Sequence, residues 1–152
     1  MKKALAAVLL CLTLMLSACG GLGTPDTTPT PVLETFHFRI GGFGQYNEYA
    51  IDSASLTFVC TLTEMDYGDQ AGTFKQHWSA EKWNTFIEDV LACDVLDWES
   101  NYHDLNVLDG TQWSLEITGD FGSIQTSGSN AYPEEWDRFL KVLSEHLGMD
   151  VW

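Results

Sequence analysis

The chain has 152 residues, 45% of them hydrophobic, and a formal charge of −15 from 7 Lys and Arg against 22 Asp and Glu. That balance excludes binding of nucleic acid or anionic lipid through a basic patch. The 6 Trp, 8 Phe and 5 Tyr exclude a disordered acidic chain, and the length fits one domain with a core of its own.

The chain opens on Lys2-Lys3, an apolar run from Ala4 to Leu16, and small residues. This is the pattern of a secretory signal. The run is shorter than the roughly 20 residues that span a bilayer. Leu16-Ser17-Ala18-Cys19 resembles the lipobox of bacterial lipoproteins. That resemblance implies a signal peptide over 1–18, and a diacylglycerol thioether on Cys19 as the first mature residue. It also implies a cell-membrane location, facing outside the cytoplasm. Loss of Lys2 and Lys3 with the signal leaves the mature chain two charges more negative. Residues 19–32, rich in Thr and Pro, form a stiff spacer reaching up to about 40 Å.

A single globular domain is expected over 33–152. Phe36, Phe38 and Ile40 alternate with His37 and Arg39 as a half-buried strand. Tyr46–Ile51 is a second strand, and Leu56–Leu62 a third, rich in β-formers. Asp66–Gly72 reads as a turn and Thr73–Trp78 as a short fourth strand. Ser79 caps a helix whose Trp83, Phe86, Ile87, Val90 and Leu91 make one apolar stripe. Residues 95–109 are irregular, acidic and aromatic. Trp113, Leu115 and Ile117 mark the next strand, Gly119-Asp120-Phe121-Gly122 a hairpin loop, and Ser123–Ser127 the return. Pro133 opens a final helix through Trp136, Phe139, Leu140, Leu143 and Leu147, closed by Gly148. The order β-β-β-β-α-β-β-α predicts an α+β fold, an antiparallel sheet with two amphipathic helices on one face.

Of four cysteines, Cys11 leaves with the signal and Cys19 takes the lipid. Cys60 and Cys93 remain, either as a disulfide, which the compartment permits, or as small buried hydrophobes. Asp104–Gly110 superficially resembles a calcium loop, but its spacing puts Leu108 and Leu115 at ligand positions. Asp94, Asp97, Glu99, Asp104 and Asp109 are either a loose oxygen site or an acidic surface loop. No G-x-S-x-G elbow, phosphate loop or H-E-x-x-H occurs. No catalytic residue, metal ligand or cofactor is therefore expected.

Trp98, Tyr102, His103, Asp104, Asn130 and Tyr132 form the candidate binding surface. Loop aromatics beside acids and amides stack on and hydrogen-bond to sugars or peptides. The alternative is a loop anchored to the core by its rings. The segments Trp98-x-x-x-Tyr102, Val107-x-Asp109-Gly110-Thr111-x-Trp113-Ser114-Leu115 and Ser127–Pro133, with Trp136-x-x-Phe139, resemble a pattern in uncharacterised lipoproteins of Gram-positive bacteria. The resemblance carries no activity with it. The expected function is non-enzymatic binding of a cell-envelope protein or glycan, with the membrane held through Cys19 and no role for nucleic acid. One alternative is an envelope hydrolase or metal-dependent enzyme using His103 and nearby carboxylates. Another is an inhibitor or immunity-type protein with a basic target.

Overall fold

The computed structural model describes residues 31–107 and 109–151. The signal, Cys11, Cys19 and the spacer up to Thr30 lie outside the described residues. Within them, seven strands make one sheet: β1 (Leu33–Gly42), β2 (Gln45–Asp52), β3 (Thr57–Leu62), β4 (Gly72–His77), β5 (Asn101–His103), β6 (Gln112–Gly119) and β7 (Gly122–Ser129). A one-turn helix α1 (Glu64–Tyr67) joins β3 to β4, and two longer helices follow as α2 (Ala80–Leu91) and α3 (Trp136–Leu147). The class is α+β, as the alternation and the two apolar stripes predict.

The sheet order is β4-β3-β2-β1-β6-β7-β5. Every pairing is antiparallel except β5 with β7, which is parallel. β1 is central because its Phe36, Phe38 and Ile40 sit between β2 and β6, matched to Ile51, Tyr49 and Asn47 on one side and Ile117, Leu115 and Trp113 on the other. All of these are buried. The period of two thus sends one residue set into the core and leaves the other on the opposite face.

Both long helices pack on that apolar face. Phe86 of α2 meets Phe36 edge-on at 5.0 Å between ring centres, and Phe139 of α3 meets Phe38 at 5.1 Å. Edge-to-face contact suits the quadrupoles of the rings. Ser79 caps α2 as expected, its hydroxyl accepting from the Lys82 amide at 3.1 Å. His146 of α3 and Asp89 of α2 tie the helices together, Nε2 to Oδ2 at 2.8 Å.

Three expectations are corrected. Asp66–Gly72 is a helical turn followed by a 3₁₀ turn, Gly68–Gln70, rather than a simple bend. The irregular segment contains β5, a strand of three residues, too short to carry a readable period. The last helix begins at Trp136 rather than Pro133, because the Trp136 amide bonds the Pro133 carbonyl at 3.2 Å in a preceding turn. Gly148 ends that helix in the left-handed conformation, φ 68°.

Candidate functional site

The six predicted surface residues part company. Trp98 turns inward: its Nε1 donates to the Cys93 carbonyl at 3.1 Å, and its ring packs edge-on against Phe139 at 5.2 Å. Tyr102 is half-buried with its ring 5.8 Å from Trp113, and its hydroxyl accepts from the Glu99 amide at 2.9 Å. These two anchor the loop, because an aromatic ring beside an apolar core is stabilised more by burial than by solvent. Asp104 accepts from the Asn106 amide at 2.9 Å and so is spent on its own turn. Asn130, at φ 52°, accepts from the Thr111 amide through Oδ1 at 2.9 Å and fixes the approach to β6. Tyr132 is partly exposed, its ring 4.9 Å from Trp136. Only His103 faces outward beside groups able to hold a ligand.

Those groups lie on the face of the sheet opposite the helices. One cross-strand row runs through all seven strands: Thr73, Thr61, Glu48, Arg39, Ser114, Ser127 and Asn101. A neighbouring row carries Tyr46, Gly41, Gln112, Ser129 and His103. Antiparallel sheets often leave one face to water, but here that face holds two adjoining hollows of about 500 Å³ and about 410 Å³. Arg39, Ser114 and Ser127 line both. His37, Glu116 and Gln125 complete the first, and Tyr46, His103 and Gln112 the second.

Arg39 is the organising group. Its Nε lies 2.9 Å from Glu48 Oε1, and its guanidinium stacks over the Tyr46 ring at 4.5 Å. Tyr46 is itself held, donating its hydroxyl to Gln112 Oε1 at 2.7 Å. The carboxylate on one side and the ring on the other hold this planar cation among the polar groups of the face. The arrangement presents hydroxyls, side-chain amides, imidazoles and one guanidinium to a polar ligand.

A third hollow, a cleft of about 650 Å³, opens at the Gly42 end of the sheet. Its walls are the β1–β2 turn, α1, the Gly110–Thr111 loop and the chain after α3. Asn47, 4% exposed, sits at its base and donates to Asp66 Oδ2 at 2.7 Å. Behind this wall the Tyr49 hydroxyl is fully buried beside Tyr67, which spends its own proton on the Asp150 carbonyl at 2.7 Å. Burial holds the Tyr49 phenol well above the usual tyrosine range.

The chain matches no protein-family model and no curated protein. No carboxylate lines the hollow that His103 borders. Among the described residues no three His, Cys, Asp or Glu converge on a point that would hold a metal ion, so Asp94, Asp97, Glu99, Asp104 and Asp109 form no oxygen site there.

Cys60 and Cys93 are free buried thiols, not a bridge. The physical reason is their separate surroundings. Cys60 faces Tyr49 and Phe74 across the sheet, whereas Cys93 lies near Arg138 and Glu135 and bonds the Asp89 carbonyl at 3.4 Å. Burial pushes both thiols up to about 11.

Sequence reasoning missed Arg39, Tyr46, Ser114 and Ser127 as a group. The alternation around Phe38 did place Arg39 on the polar side of its strand. The register that sets Arg39 beside Ser114 comes from a pairing of segments far apart in the chain.

Proposed function

We propose that this protein is a lipid-anchored extracytoplasmic domain that binds a cell-envelope glycan, without transforming it, on the open face of its sheet. The lipobox-like Leu16-Ser17-Ala18-Cys19 and the Thr/Pro-rich spacer support the anchor. The polar row through all seven strands, centred on a braced Arg39, is the observation that carries the ligand class. Sugars present closely spaced hydroxyls, and a surface of hydroxyls, amides and one guanidinium matches them donor for acceptor.

The anchor is tested by metabolic labelling with a radioactive fatty acid. Label is expected on the native chain and absent from Cys19→Ala. The ligand class is tested by retention of the full-length chain on isolated envelope glycans, comparing it with Arg39→Ala and Ser114→Tyr. Loss of about tenfold or more in affinity is expected from each, the first removing a braced donor and the second filling the hollow. Equal retention of all three chains would refute the glycan reading.

A further inference from the structure

The 650 Å³ cleft is larger than either hollow of the open face and is chemically unlike them. Its rim carries Phe43, 75% exposed, and Met65, 57% exposed. Leu105, 87% exposed, and Val107 lie in the loop that leads to its Gly110 wall. Its lining includes Asp66 and Asp150 and no Lys, Arg or His. Asp66 is held through Oδ2 by Asn47 and by the Thr63 hydroxyl at 3.1 Å, which leaves Oδ1 for an incoming donor.

Phe43 breaks a local rule. It and Gly44 are the two central residues of the β1–β2 hairpin, at φ 52° and 78°. That turn type asks for Asn, Asp or Gly at its first central position, and a bulky side chain at positive φ is strained. The ring gains no burial in return. Local strain with no internal compensation is expected where a side chain serves a contact outside the fold.

The occupant follows from charge and from the exposed apolar rim. A second copy is disfavoured, since copies of a chain at −15 repel.

We propose that the cleft docks a basic, apolar-anchored segment of a partner protein. An aliphatic or aromatic side chain of the partner packs on Phe43 and Met65, and a neighbouring Lys or Arg reaches Asp66 and Asp150. The volume suits a single anchored segment, and an apolar centre with an acidic margin is the complement of such a partner. This docking uses side chains other than those of the glycan face.

The test is selection of a random peptide display library on the immobilised full-length chain. Enriched peptides are expected to combine Lys or Arg with a nearby aromatic or large aliphatic residue. One such peptide is then titrated by fluorescence anisotropy. Phe43→Asn is expected to weaken it about tenfold or more, and Asp150→Asn several-fold. Raising salt from about 50 to about 500 mM weakens it further. Arg39→Ala leaves it unchanged, which separates this site from the glycan face. Phe43→Asn also melts no lower than the native chain, so weakened binding is not unfolding. Absence of a consensus, an acidic or neutral consensus, or a peptide indifferent to Phe43→Asn would each overturn the proposal. So would binding of the native chain to lipid vesicles or to itself that Phe43→Asn abolishes.

Discussion

The indole Nε1 of Trp113 donates to the backbone carbonyl of Ala131 at 3.0 Å. The ring reaches that carbonyl by lying across Gly128, and a Cβ on Gly128 would overlap the indole. One absent methyl group thereby lets a β6 side chain hold the loop between β7 and α3.

Gly128→Ala should force that ring aside. Overpacking of this kind costs about 1–3 kcal/mol. We expect a clearly lower Tm in calorimetry, together with a changed tryptophan emission. An unchanged melting curve would show that the indole has room to move.

Asn130 should tolerate little. It adopts φ 52°, accepts from the Thr111 amide through its side chain, and donates its own amide to the Thr111 carbonyl at 3.0 Å. Asn130→Ala loses the acceptor and keeps the positive φ, a combined cost of about 1–3 kcal/mol. Asn130→Asp retains the acceptor and should lie nearer the native chain in urea denaturation. Equal midpoints for the two variants would argue that the side-chain bond contributes nothing.

Phe38 is a hub of the core. It is fully buried, with its ring near Tyr49 at 6.1 Å, Trp136 at 5.9 Å and Phe139 at 5.1 Å. Phe38→Ala should cost about 3–5 kcal/mol, a large share of the roughly 5–15 kcal/mol that holds a domain folded. The check is the urea midpoint, and a small shift would mean that the aromatic neighbours collapse into the space.

Stability should fall in alkali. The thiols of Cys60 and Cys93 rise from 9.0 to about 11 on folding because burial disfavours the thiolate. The unfolded chain therefore sheds these protons first. Their contribution is complete below about pH 9 and is lost as pH climbs through about 11. Tyr49, raised in the same direction by burial, adds to the loss. Urea unfolding at about pH 8 and about pH 10.5 should show the drop, and the Cys60→Ala, Cys93→Ala double variant should show less of it. An identical drop in both proteins would place the effect elsewhere.

The strands around Phe36–Ile40, Phe58–Leu62 and Trp113–Ile117 were legible because alternation is a property of neighbouring residues. The Ser79 cap and the Gly148 stop were legible for the same reason. The three-residue β5 was not, and neither was the inward turn of Trp98 and Tyr102. A ring in an irregular loop carries no period to say which way it faces.

By itself, the sequence determined the α+β class, the apolar face of each strand and helix, and the resemblance of Cys19 to a lipidated residue. It did so because periodicity, capping and the signal pattern are local. Tertiary structure alone decided that Arg39 stands between Glu48 and Ser114, that Asp66 and Asp150 face one cleft, and that Cys60 and Cys93 lie apart. The physical reason is register. A strand's own residues fix which side chains share a face, but which residues become neighbours across it is set by pairing between distant segments and by the helices that cover the other side.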